Sequence, residues 1–280
     1  MKLGRQNVLS GERGMALLMV LWIVAALGII VASVSYMVRA EVRYVASMRD
    51  AAVARATARA AVVLLLQELR ASSQRRLDRP QAYMFTFNGV AVNVLAAPLN
   101  GLIDLNRAPA PLLTKVFEST LGLDLMAAQA LALSIVEKRT ARGPSGGVVL
   151  FDAVEDLLEV PGLDYELYAR LAPLVTANTG GDGKINPYAA PEPLLVALAA
   201  GNHAAVTAFM AARESSAGDL SSFDQAFLTS SGATRLRVQV QIPKGDGGLS
   251  QVNCDASLVG QRVSATPWSI QQCDYQTSSN

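Results

Sequence analysis

Few residues in this 280-residue chain have the type and spacing to do chemistry. The single histidine, His203, follows Gly201-Asn202 in an alanine-rich stretch, and no nucleophile stands at motif spacing from it. A serine or cysteine nucleophile needs a base within hydrogen-bond reach. The serine pairs Ser215-Ser216 and Ser221-Ser222 read instead as loop and helix-cap residues. The sequence holds no CxxC pair, no HExxH and no phosphate-binding loop. The two cysteines, Cys254 and Cys273, both lie near the C-terminus. An oxidising compartment permits a disulfide between them; otherwise they are two buried thiols. The chain is therefore read as non-enzymatic.

The elements that position these residues start from one apolar run. Residues 15–38 hold no charged side chain. As a helix they would reach roughly 36 Å, enough to cross a hydrocarbon core. A polar head with Lys2, Arg5 and Arg13 against Glu12 precedes the run, so the amino terminus is expected to be cytoplasmic and the bulk of the chain outside. A cleaved secretory signal has a shorter apolar core and a small-residue cleavage site after it, and neither is found here. Net charge is +1, and the first 14 residues carry three basic groups and one acid, so the remainder is near neutral. Such a balance gives no general reason to bind nucleic acid.

The helical signal continues beyond Arg39. Residues 40–77 contain no Gly or Pro and are rich in Ala, Leu, Arg and Glu. Val42, Val45, Ala46, Ala52, Val53, Ala56, Ala60, Val63 and Leu64 recur at helical spacing, with Arg39, Arg43, Arg49, Arg55 and Arg59 on other faces. One helix over 15–79 is expected, with 15–38 transmembrane. Its second half can lay a stripe on a globular head. Residues 80–98 carry Tyr83-Met84-Phe85-Thr86-Phe87, then Asn88-Gly89, then a Val-rich run, which is a hairpin signal. Residues 99–232 have the texture of short helices between Gly and Pro. They repeat internally: Gly101, Ile103-Asp104-Leu105-Asn106 and Ala108-Pro109 to Leu112-Leu113 match Gly183, Ile185-Asn186-Pro187-Tyr188 and Ala190-Pro191 to Leu194-Leu195. Arg139 matches Arg213, and Phe151-Asp152 matches Phe223-Asp224. Two related helical units explain this, with each Pro at a helix start and each Leu pair in the core. Residues 233–280 return to period two, from Thr234 to Ile242, then a Gly245-Asp246-Gly247-Gly248 turn, a run from Leu249 that pairs back, and a short irregular tail from Trp268.

Arg13-Gly14-Met15 before the apolar run resembles a type IV prepilin-type leader. The resemblance implies that residues 1–14 are the leader, that a prepilin peptidase cuts between Gly14 and Met15, and that Met15 is then N-methylated. The usual acid at the fifth mature position is absent, since Met19 stands there. The whole order of segments resembles the K-type minor pseudopilins of the type II secretion system. It implies an α+β, pilin-like fold: a long membrane-spanning helix, a small antiparallel sheet and an inserted all-α domain of two related units. It implies a single pass through the bacterial inner membrane, a periplasmic head, and a place at the pseudopilus tip with I- and J-type minor pseudopilins. A buried acid without a partner is costly. A tip subunit has no neighbour above it, so Met19 suits that place. The resemblance also raises calcium, with Asp246, Asp255 and Asp274 as candidate ligands beside Asn253. A different reading takes residues 101–174 as helix-hairpin-helix DNA-binding modules of the membrane-anchored competence type. Their turns would be Leu121-Gly122-Leu123 and Pro161-Gly162-Leu163-Asp164, but Asp124 and Asp164 sit where a phosphate would approach.

Overall fold

The computed structural model of the chain describes residues 12–71, 77–143, 146–215, 218–244, 248–259 and 267–277. Compactness divides the chain into residues 1–53 and 54–280.

The first unit is helical from Glu12, the start of α1 (Glu12–Ala71). Every side chain described between Leu17 and Asp50 is exposed, including Met19 at 71% and Trp22 at 77%. Among the described residues this is one helix long and apolar enough to cross a membrane.

In the second unit, the last turns of α1 lie on a five-stranded sheet of order β1-β2-β5-β6-β7, antiparallel throughout. β1 (Gln81–Phe87) and β2 (Val90–Pro98) are joined at Asn88-Gly89, where φ is 50° and 81°. A tight hairpin needs positive φ at both positions, which Asn tolerates and Gly adopts freely. β5 (Arg235–Pro243), β6 (Leu249–Ser257) and β7 (Ser269–Thr277) complete the sheet. One face is apolar, with Val94, Val240, Val252 and Cys254 buried against Ala58, Ala61, Val62, Leu65 and Leu66 of α1. The last two leucines are fully buried, and each contributes about 1.5–3 kcal/mol.

Two expectations are corrected here, and the stripe that α1 buries is assigned. The described part of α1 runs to Ala71, and residues 77–80, expected to close the helix, are not helical: Leu77 is buried in the sheet core, and Pro80 disfavours helical geometry at Arg79. The stripe that α1 buries is Ala54, Ala58, Ala61, Val62, Leu65, Leu66 and Leu69, while Ala52, Val53, Ala56, Ala60 and Leu64 are exposed. Two faces of this helix are apolar at helical spacing, and packing selects one. The irregular tail is a nine-residue strand, β7, whose pattern is hidden by Gln271-Gln272 and a bulge opposite Cys254/Ala256.

β2 and β5 are adjacent in the sheet, and residues 99–234 are inserted between them. The insert holds a short β3 (Ile103–Asp104), α2 (Ala110–Val116), α3 (Leu125–Thr140), α4 (Tyr165–Leu171), β4 (Val175–Thr176), α5 (Glu192–Leu198) and α6 (His203–Ala212). It has its own core, separate from that of the sheet. The two repeats occupy matching roles. Pro109 and Pro191 precede α2 and α5, and Leu112, Leu113, Leu194 and Leu195 are fully buried. Ile103 pairs in parallel with Val175, and Ile185 with Leu228. The contacts are reciprocal as well. A Cβ on Gly101 would lie 2.4 Å from the Ala189 carbonyl carbon, and one on Gly183 would lie 2.4 Å from the Arg107 oxygen. Arg107 and Ala189 are themselves matching positions, so the two units face each other through their paired glycines.

Candidate functional site

The surfaces that can meet other molecules follow from these elements. α1 presents Ala56, Ala60 and Leu64 outward, four residues apart on one face. Small side chains there let another helix approach closely. Arg55, beside this face, lies 6.0 Å from the Tyr275 ring of β7.

Gly14 and Met15, the implied cleavage and methylation positions, belong to the α1 backbone, and residues 1–11 lie outside the described residues. Cys254 and Cys273 are cross-strand partners on β6 and β7, and their sulfurs are bonded. Of the calcium candidates, Asp246 lies outside the described residues. Asp255 is held by Arg237, Nε and Nη2 donating to its two oxygens at 3.0 and 3.2 Å. Asp274 pairs across the strands with Asn253. Calcium needs six to eight oxygens, and a carboxylate bound to a guanidinium is a poor donor. Among the described residues no three His, Cys, Asp or Glu side chains are gathered to hold a metal.

His203 is the exposed first residue of α6. Ser215 donates to the Ala212 carbonyl and Ser221 to Asp219, both local bonds of loop chemistry. In the candidate DNA hairpins, Asp124 accepts from Ala127 N at 2.9 Å and Asp164 from Leu167 N at 2.8 Å. These carboxylates already sit on the helix N-termini that a phosphate would use.

Three polar arrangements escaped the sequence reading. Asp104, 1% exposed, accepts from Asn106 N, Thr179 N and Thr179 Oγ1 at 2.8–2.9 Å, tying the first repeat to the loop after β4. The matching Arg139 and Arg213 clamp carbonyls of their own repeats: Arg139 donates to Leu105 and Ala108, Arg213 to Ala190. Burial lowers the Arg139 pKa, and Asp104 opposes that shift. Arg79 joins the two cores. It donates to Asp78 through Nε and Nη2, donates through Nη1 to the Arg213 and Glu214 carbonyls at 3.0 and 2.8 Å, and lies 5.3 Å from the Tyr188 ring. The hydrogen-bonded guanidinium holds the Asp78 carboxyl below its usual range. Asn186 closes the same corner by donating to the Asp78 carbonyl at 2.5 Å. The only sequence signal for Arg79 is its place before Pro80 at the crossing between the cores.

An α+β head that carries a long apolar helix and a mainly helical insert between neighbouring strands defines the fold; the insert, expected to be all-α, also holds the parallel pair β3 and β4, which ties residues 103–104 to 175–176 by backbone bonds. No family model matches the chain, and no curated protein matches it. Among solved structures, it is similar to a chain in the crystal structure of the GspK-GspI-GspJ complex from the type 2 secretion system of enterotoxigenic Escherichia coli. The TM-score is 0.59 at 16% identity, over 85% of this chain and 100% of that one. At this identity the likeness is one of fold.

Proposed function

We propose that this chain is a K-type minor pseudopilin that caps the tip of the periplasmic pseudopilus in type II protein secretion, with I- and J-type minor pseudopilins as partners. The observation that carries the reading is the fold likeness over 85% of the chain, spanning the insert and the sheet together. The exposed apolar helix supports a single pass through the inner membrane, and the basic head at residues 2–13 supports a cytoplasmic amino terminus. Prepilin peptidase cuts after Gly14 and leaves a methylated Met15. Met19 needs no charged partner above it, and a bulky insert does not repeat along a thin filament. Both features favour a cap over a polymer.

The exposed face at Ala56, Ala60 and Leu64 is where partner helices pack. The part from about residue 39 is expected to be monomeric alone and to form a 1:1:1 complex with the I- and J-type heads. Ala56→Glu with Ala60→Glu, both at exposed positions, should weaken that complex at least tenfold and leave the insert folded. Light scattering of the mixed heads, with circular dichroism of the variant, checks both. A homopolymer, or no binding to either partner at micromolar concentration, defeats the reading. So does a cell-derived protein that retains Met1 by mass spectrometry.

A further inference from the structure

Two asparagines in the chain are followed by glycine, at Asn88-Gly89 and Asn100-Gly101. The pairing is chemically labile. The amide nitrogen of the glycine can close a ring on the asparagine side-chain carbonyl carbon, and glycine has no Cβ to obstruct the approach. Ring closure asks three things of the fold: a carboxamide free to turn, an N–H outside any hydrogen bond, and water. The fold treats the two sites in opposite ways.

Asn100 is 5% exposed. Its Nδ2 donates to the Ser231 carbonyl at 2.9 Å, and its Oδ1 accepts from Asn186 Nδ2 at 3.4 Å. Its main-chain carbonyl accepts from Asn186 N at 2.8 Å, and Gly101 lies against the Ala189 backbone. Turning this carboxamide would strand buried polar groups, which is costly. At the tip of the β1-β2 hairpin, by contrast, Asn88 and Gly89 are both exposed. The ladder closes at Phe87 opposite Val90, so the Gly89 N–H lies beyond its last rung. Among the described residues no hydrogen bond holds the Asn88 side chain. A Cβ on Gly89 would meet nothing within 4 Å, so no neighbour fills the space around the turn. Carboxamide, nucleophile and water meet here and not at Asn100.

We propose that Asn88-Gly89 is a site of spontaneous deamidation in the folded protein, and that the fold protects Asn100-Gly101 from the same reaction. The step needs no enzyme and no oxidant. Base removes the Gly89 amide proton, the nitrogen attacks Asn88 Cγ, and the bond from Cγ to Nδ2 breaks. Nδ2 leaves as ammonia, taking up a proton. Water then opens the resulting succinimide at one of its two carbonyls. Opening between Cγ and the Gly89 nitrogen gives aspartate at position 88. Opening at the main-chain carbonyl gives isoaspartate, whose backbone runs through the former side chain and is longer by a methylene. Either product puts a carboxylate beside β1, a strand without charge. Isoaspartate also removes the turn geometry, because the hairpin closes through φ values of 50° and 81° at just these two residues.

The test is peptide mapping by mass spectrometry of the purified full chain in detergent, held at neutral and at mildly alkaline pH. Electron-transfer fragmentation distinguishes isoaspartate from aspartate. Position 88 should gain the mass of an amide-to-acid exchange at least tenfold faster than position 100, faster at the higher pH, and with isoaspartate among the products. In denaturant the two positions should react at comparable rates, since only the fold separates them. An unmodified position 88 in the folded chain, equal rates at 88 and 100 in the folded chain, or a difference that persists in denaturant overturns the proposal.

Discussion

At the scale of the residue, the paired glycines are the most constrained positions in the insert. Gly101 meets Ala189 and Gly183 meets Arg107, with backbone atoms 2.4 Å from where a Cβ would stand. Backbone does not yield as a flexible side chain does. Overpacking of this kind costs typically about 1–3 kcal/mol, and Gly183 adds a φ of +83° that an L side chain rarely adopts. Gly183→Ala should therefore destabilise the insert more than Gly101→Ala, and both more than Gly146→Ala, which meets nothing within 4 Å but shares the positive φ. Denaturant melts of the three variants give the order. Equal midpoints for Gly101→Ala and the parent chain would show that the two repeats do not pack this closely.

Elements differ in what holds them. β7 is an edge strand, joined to the sheet by β6 and by one covalent bond. A bond closing a loop with a sequence separation of 19 adds roughly 3 kcal/mol, by a mechanism that depends on the model used. Reduction should release β7 first. Its amides, from Ser269 to Thr277, are expected to lose hydrogen-exchange protection on treatment with a thiol reductant, while those of α2, α3 and α5 keep theirs. Thiol labelling of unreduced, denatured protein should find neither cysteine free. Two free thiols per chain would remove the bond.

For the whole molecule, the question is how the insert and the sheet act as one head. Their cores are separate. Among the described residues the side-chain joints include Arg79 on the Arg213 and Glu214 carbonyls, Asn186 on the Asp78 carbonyl, and Arg235 on the Asn178 carbonyl. Hydrogen bonds from a charged donor contribute about 1.5–3 kcal/mol each, so Arg79 carries a large share of the coupling. Arg79→Ala should split one calorimetric transition into two, the sheet and the insert melting apart. Arg79→Lys retains the charge but not the fork that reaches Asp78 and two carbonyls together, and should restore little. A single transition in both variants would place the coupling elsewhere.

Much of the fold is legible in short windows of the sequence, because the signals involved are local. A charge-free run of 24 residues, positive-φ residues between two strand patterns, a period-two run from Thr234 to Ile242, and Ala-Pro before a Leu pair each depend on neighbours in the chain. Tertiary packing decided what depends on distant partners. Both faces of α1 carry Ala, Val and Leu at helical spacing, and only the sheet against it selects Ala54 to Leu69 for burial. β7 is a strand because β6 is beside it, through a bulged pairing that no local pattern announces. Asp255 reads as a metal ligand until Arg237, its cross-strand neighbour, takes both oxygens. Arg79 reads as a helix-end residue until the fold brings it carbonyls from 134 and 135 positions away. Local geometry is written in adjacent residues, whereas the choice among faces, edges and charge partners is made by contacts that exist only once the chain has closed.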